Sequence, residues 1–287
     1  MYKTLIQTLL ACFYAILAAS PLEGGGVMIA ARQIAFGRGA AKWINPYITD
    51  GLIAMWDGEW NAGGGKHDAN ATVWKELSGF FKGVDFPIGE HIIEADCVRC
   101  DTKNQMRVAR PSSFFDLVKD GYTAEIVTTL PDAPPVSRDD SSLFGAGYSQ
   151  TPLLFPRKDL ISAQWTNLYG GVGNDKSWAT SLITAAMCGL ESFSNVKFSY
   201  SLQSDIVSQQ TNIFFNATKV SSIASAGMIG DNMSLLVGFG INGNGRGNYT
   251  ESIGEGTRYH CVRWYSRALT ADEIAHNYNI DKARFGL

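Results

Sequence analysis

Short runs of alternating apolar and polar residues, each closed by a turn signal, recur along most of this chain, and that rhythm restricts it to antiparallel sheets. From about residue 48 onward the text reads strand, turn, strand. GLIAMW (51–56) and ATVWKEL (71–77) come first. In EHIIEADCVR (90–99), Ile93, Ala95 and Cys97 share one strand face, and Glu94 and Asp96 share the other. NQMRVAR (104–110) and YTAEIVTTL (122–130) follow, then SLFGAG, SWATSLITAA, NVKFSYSL (195–202), TNIFFNATKV (211–220) and SLLVGFG (234–240). PDAPPVSRDDSS (131–142) is too rich in proline and polar residues for a strand and reads as a loop. The fold class expected is all-β, a two-sheet antiparallel sandwich.

Only the C-terminus carries a clear helix signal. Thr270-Ala271-Asp272-Glu273 is a capping box, with the threonine hydroxyl placed to accept from the Glu273 N–H and the glutamate placed to reach back. Ala271, Ile274, Ala275 and Tyr278 then fall at i, i+3, i+4 and i+7, a stripe able to pack on a sheet. Acids in the first turn and Lys282 and Arg284 near the end complement the helix dipole.

A chain of 287 residues, 45% hydrophobic, has enough apolar material for a sizeable core. Its formal net charge of −3, with scattered Lys and Arg, argues against nucleic acid as a partner, because phosphate contacts need clustered basic residues. No repeat period is visible. The five cysteines, Cys12, Cys97, Cys100, Cys188 and Cys261, are too few and odd in number for a disulfide framework. CVRC (97–100) lacks the second pair that a four-cysteine zinc site needs, and residues three apart on a strand point to opposite faces.

The N-terminus has two readings. LIQTLLACFYAILAAS (5–20) follows one lysine and ends in small residues, as a secretory signal peptide does, and is short for a membrane span. Alternatively, residues 1–27 are upstream sequence, since the codons for Glu23-Gly24-Gly25-Gly26 just before Met28 are purine-rich like a ribosome-binding site. Residues 28–47 then form a basic N-terminal arm and 48–287 the domain. Localisation follows the choice: secreted if 1–20 is a signal peptide.

The end of the chain resembles a known family. RYHCVRWYSRALTADEIAHNY (258–278) is similar to the closing strand and short helix of concanavalin A-like, laminin-G-like jelly-roll domains, which end in a strand, an aromatic-x-Arg-Ala-Leu turn and Thr/Ser-x-x-Glu-Ile. DGLIAMWDG resembles their first strand, VWKELSG the Trp-x-x-Leu-Ser-Gly segment after it, and YTAEIVTTL their central strand. VKFSYS, IFFNATKV and LLVGFG match the strands before the ending, so the likeness covers roughly 48–287, weakly over 131–190. Asn216 is followed by Ala217 where the family often has Gly, which implies a longer turn in that hairpin. The resemblance implies a concanavalin A-like jelly roll with a short C-terminal helix, of the type found in gut bacteria and their phages. It does not select among lectins, glucanases and adhesion or virion surface domains.

Each chemical motif has a specific requirement. A retaining glycosidase needs two carboxylates about 5–5.5 Å apart, which the superfamily's glucanases carry on one strand as Glu-x-Asp-x-x-Glu. Here the text is Glu94-Ala95-Asp96-Cys97-Val98-Arg99, and an arginine in the third position cannot protonate a leaving group. Glu125 is another inward carboxylate with no partner named by sequence. GFGING (238–243) has dinucleotide-loop spacing but is followed by a glycine-asparagine loop rather than a helix. His67, His91, His260 and His276 show no metal spacing, and no nucleophile elbow is present.

MWDGEWNAGGGKHDAN (55–70) joins the first strand to the Trp74 segment. Gly63-Gly64-Gly65 read as its flexible crest. Of the seven tryptophans, Trp60 alone sits in a polar glycine-rich loop, where its face could stack on a sugar with Asn61, His67 and Asp68 beside it. Oxygen donors for calcium, which takes roughly six to eight oxygens, are Asp57, Asp68, Asn70 and Asn242, without a fixed calcium-loop spacing. The function expected is a non-catalytic glycan-binding or adhesion module, extracellular or on a virion surface, with a carbohydrate or cell-surface glycan as partner. The alternatives are a structural virion or surface assembly protein that docks other proteins through the 28–47 arm, and a glycoside hydrolase.

Overall fold

Nine consecutive buried residues, Gly121–Thr129, form the central strand on which the rest of the sandwich is ordered. The computed structural model describes residues 44–101, 106–109, 111, 113–132, 144–146, 153–157, 167–174, 177–224, 238–241 and 256–287. The leader and arm readings up to residue 43, most of the 131–142 loop, and Asn242 lie outside the described residues. All described residues belong to one compact unit, Ala40–Leu287.

The strands are β1 Leu52–Asp57, β2 Val73–Trp74, β3 Phe86–Pro87, β4 Ile92–Ile93, β5 Val98–Arg99, β6 Met106–Ala109, β7 Gly121–Thr129, β8 Phe144–Ala146, β9 Leu153–Arg157, β10 Asn167–Asn174, β11 Ser177–Thr184, β12 Lys197–Asp205, β13 Gln210–Phe215, β14 Thr218–Ile223, β15 Gly238–Ile241 and β16 Arg258–Tyr265. A short helix, α1 (Phe114–Val118), precedes β7, and α2 (Ala271–Phe285) closes the chain. Among the described residues one sheet runs β14-β13-β12-β7-β16-β5-β4, with β1 also on β16, and a second runs β11-β10-β9-β8-β15-β6. Every strand pair is antiparallel. The fold is an all-β sandwich with one C-terminal helix.

β16 organises the larger sheet. One edge pairs with β7 along its length, while the other is shared by β5 at Arg258 and Tyr259 and β1 from Cys261 to Tyr265. A bulge between Tyr259 and Cys261 inserts His260 and resets the alternation. Tyr259, Val262 and Trp264 therefore enter the core between the sheets, while Cys261 and Tyr265 join the cluster under α2. The inter-sheet core also takes Trp56, Trp74, Tyr122, Ile126, Tyr200 and Phe215 from the larger sheet and its hairpin, and Met106 and Ile183 from the smaller one. The buried indole N–H groups are satisfied: Trp56 donates to the Val84 carbonyl at 3.0 Å and Trp74 to the Asp57 carbonyl at 2.8 Å.

The capping box forms as expected, and Arg267 together with the cap contacts holds the Glu273 carboxyl down at about 2. The buried stripe of α2 differs from the expected one. It is Ile274, Asn277, Asp281 and Phe285, whereas Ala271 is exposed and Ala275 and Tyr278 are only half-buried. Two of the four buried residues are polar because α2 covers charged side chains of the sheet.

Two local expectations are corrected. EHIIEADCVR is not one strand: β4 and β5 form a hairpin closed by the Glu94 N–H donating to the Cys97 carbonyl at 2.9 Å. The turn seats on Gly58, where a Cβ would lie 2.4 Å from Cys97 Cα, so only glycine permits the approach. The hairpin after β13 has no lengthened turn either. Phe215 pairs with Thr218 across Asn216 and Ala217, whose φ values are 48° and 61°. That is the two-residue turn with both central residues left-handed, which matches strand twist. Ala217 bears the strain a glycine would not, so Ala217→Gly is expected to stabilise the fold by about 1 kcal/mol. The check is a higher urea midpoint at unchanged slope.

Candidate functional site

The loop after β1 begins on a buried ion pair. Strand parity turns Met55 and Asp57 toward the α2 side. There Asp57 Oδ1 accepts from the backbone N–H of Glu59 and of Trp60, both at 3.1 Å. Arg284, from the last turn of α2, donates to both Asp57 oxygens at 2.6 and 2.8 Å, to Glu59 at 2.7 Å and to the Tyr47 hydroxyl at 2.6 Å. Burial lifts the Asp57 carboxyl above its ordinary range against the pull of Arg284. With both oxygens committed, Asp57 is not an open calcium ligand, and that expectation is corrected. Tyr47, which the sequence placed in the arm, is buried here.

Trp60 is half-buried and meets the same arginine. The Arg284 guanidinium lies 3.5 Å over one face of its ring, a cation–π contact. Trp60 anchors the loop. Asn61 is fully buried, and its side chain clasps the loop base: its amide donates to the Asp68 carbonyl at 2.8 Å and its oxygen accepts from the Asp68 N–H at 2.9 Å. It is a structural residue rather than a ligand contact.

Above this clasp the glycine triplet forms a tight turn. Gly63 and Lys66 bridge, and Gly64 and Gly65 between them sit at φ 61° and 74°. Lys66, His67, Asp68 and Asn70 are exposed on the loop, and Asp68 Oδ1 accepts from the Asn70 N–H at 2.9 Å. The loop packs on the β2–β3 hairpin, where Lys75 donates its N–H to the Asn61 carbonyl at 2.9 Å. The tip of that hairpin carries Phe80, 54% exposed and edge-on to Phe81. A loop held at its base, with exposed histidine, carboxylate and amide groups, has the donors and acceptors that sugar recognition uses.

The carboxylates that resembled a glucanase pair are engaged elsewhere. Because Glu94 and Asp96 lie on a turn, they do not share a strand face. Glu94 accepts from Arg99 at 2.7 Å and from Arg258 at 2.9 Å. Burial opposes these contacts, but Arg258, Cys97 and Arg99 outweigh it and the Glu94 carboxyl ends below its usual range. Asp96 accepts from Lys197 at 3.0 Å and lies 3.3 Å from His260 Nδ1; His260 first and Lys197 second hold it far below the usual carboxylate range. Burial, then the Asp96 and Glu94 charges, push the Cys97 thiol up. Cys100 faces the core, so the C-x-x-C pair does diverge.

Glu125 has the partner that sequence did not name. In the β7–β16 register it sits opposite Arg263, which donates to it at 2.8 Å and to Asp281 of α2 at 2.8 and 2.5 Å. All three side chains are at most 1% exposed. Burial raises the Glu125 carboxyl, and Ser201 at 3.2 Å and Asn277 at 2.8 Å complete its contacts.

No family model and no curated protein matches this sequence. Solved structures do. A Trypanosoma rangeli sialidase in complex with sialic acid superposes with a TM-score of 0.53 at 15% identity, covering 79% of this chain and 32% of the sialidase. The botulinum neurotoxin serotype D binding domain gives 0.55 at 10% identity, covering 81% of this chain and 52% of that domain, and the receptor binding domain of the C/D mosaic serotype gives 0.53 at 11% with the same coverage. What they share is the fold. The chain spans about a third of the sialidase and about half of each toxin domain.

Sequence reasoning missed Phe80, Arg284 and the His260 cluster. Arg284 was credited only to the helix dipole, and its loop partner Asp57 is 227 positions away. A signal for Arg263 was present: an arginine inside Cys-Val-Arg-Trp-Tyr is a charge in otherwise core-forming text.

Proposed function

We propose that this chain is a non-catalytic glycan-binding or adhesion module of a cell or virion surface, built on a concanavalin A-like jelly roll. The observation that carries the reading is the 59–71 loop. It is fixed at its base by Asn61 and by the Asp57–Arg284 pair, and it presents His67, Asp68 and Asn70 to solvent. Pre-organisation lowers the entropic cost of binding. A binding rather than hydrolytic role is further supported by Glu94, Asp96, Asp57 and Glu125, each held by a cation. The structural neighbours, a sialidase in complex with sialic acid and a toxin receptor binding domain, support a sandwich that serves sugar or receptor recognition.

The second reading is a virion or surface assembly protein docking through the 28–47 arm. It is favoured by Ile44, 73% exposed where the arm meets the domain.

A glycan array with the full chain separates the two. Binding is expected, with bound glycans unchanged in mass after incubation. His67→Ala with Asn70→Ala removes two hydrogen-bonding groups at about 0.5–1.5 kcal/mol each, so affinity should fall roughly tenfold. Binding to no glycan, with assembly into oligomers through residues 28–47, would replace the first reading by the second. Release of free sugar would reinstate the hydrolase.

A further inference from the structure

We propose that Asp96, Cys97 and His260 form a binding site for a transition-metal dication of the zinc type. The Asp96 carboxylate oxygen, Cys97 Sγ and a ring nitrogen of His260 lie within 4.8 Å of one another. Two local features bring the three donors together. Gly58 lets the 94–97 turn close onto β1, and the β16 bulge turns His260 toward that turn instead of into the strand alternation.

The donor set selects the ion. One oxygen, one thiolate sulfur and one imidazole nitrogen suit a borderline dication, whereas calcium and magnesium take oxygen ligands. Three protein ligands leave a fourth tetrahedral position for water. Asp96 is 38% exposed, so the cluster is reached from its side, while His260 is 1% exposed and Cys97 is fully buried.

Neighbouring groups orient the donors. His260 Nδ1 lies 3.2 Å from the Asp96 backbone carbonyl and 3.3 Å from its carboxylate, and Nε2 lies 3.0 Å from Thr129 Oγ1. With an ion on Nδ1, the ring proton resides on Nε2 and donates to the Thr129 hydroxyl, which would fix the ring's orientation and tautomer. Cys97 donates its S–H to Glu94 at 3.3 Å without the ion. On binding, the S–H bond breaks, its proton leaves to solvent and sulfur bonds the metal.

Lys197 is the opposing element. Its ammonium lies 3.0 Å from Asp96 Oδ2 and 2.8 Å from the Phe285 carbonyl. It supplies without metal part of the positive charge that a dication would bring, and it competes with one.

The test is titration of the full chain with cobalt(II) and zinc(II), using wild type, Cys97→Ser, His260→Gln, Thr129→Val and Lys197→Met, each checked for a native circular dichroism spectrum. Wild type should bind one equivalent of cobalt with a thiolate charge-transfer band that zinc displaces. Cys97→Ser should lose the band, His260→Gln should lose saturable binding, and Thr129→Val should weaken zinc about tenfold. Lys197→Met should bind more tightly than wild type. A wild type without saturable absorption overturns the proposal, as does a band that survives in Cys97→Ser or tighter binding that fails to appear in folded Lys197→Met.

Discussion

Arg263→Met is expected to destabilise the fold by about 3–5 kcal/mol, the cost of removing one partner from a buried ion pair. Methionine fills much of the arginine's volume, so the loss is electrostatic rather than a cavity. Arg263 is the shared donor for Glu125 and Asp281, and Tyr47 stacks on its guanidinium at 4.1 Å. Without it, both carboxylates stay buried with only neutral donors: Ser201 and Asn277 for Glu125, and Tyr47 for Asp281. Against a total stability of about 5–15 kcal/mol, this is a large fraction.

The loss has a pH signature. Burial already raises the Glu125 carboxyl above its unfolded value with Arg263 present, and removing the cation raises it further. A carboxyl raised in the folded state binds more protons folded than unfolded, so it stabilises at low pH and that stability is lost as pH rises. The gap between Arg263→Met and wild type should therefore be widest near neutral pH and narrow as pH falls toward the ordinary glutamate range. Urea melts at several pH values measure it. A gap below 1 kcal/mol at neutral pH, or one that widens with acid, would refute the pairing.

Gly58→Ala is the second large effect, expected at about 3 kcal/mol. Gly58 is not left-handed, so the cost is steric. The new Cβ would meet backbone at 2.4 Å (Cys97 Cα) and 2.6 Å (the Asp96 carbonyl), and backbone cannot rotate away. The turn must lift from β1, which strains the Gly58 N–H bond to the His260 carbonyl at 2.8 Å and the Lys197–Asp96 pair. Gly64→Ala is the control. Nothing lies within 4 Å of its Cβ, so only its positive φ counts against it, at about 1 kcal/mol. Equal losses at the two sites, read from urea midpoints, would exclude the close approach.

The strands were legible because alternating or continuous apolar runs closed by turn residues survive whether one face or both are buried. YTAEIVTTL and RYHCVRWY became β7 and β16 almost at their expected bounds. The 94–97 turn was not legible, since a hairpin that keeps the phase of a strand leaves the same alternating text. The contacts of Trp60 and Asp57 were not legible because a polar loop shows its composition but not its partner. That partner, Arg284, arrives from the far end of the chain. The helix cap was readable, being local, whereas the buried stripe was set by Glu125 and Arg263 on the sheet beneath it.

The proposal that the 59–71 loop is the recognition surface is tested most directly by amide chemical-shift mapping of the full chain with a glycan that binds it. Perturbations should concentrate at residues 64–70 and 79–83, with Asn61 and Trp60 held in place. Shifts confined to the smaller sheet or to α2, with the loop silent, would contradict the account.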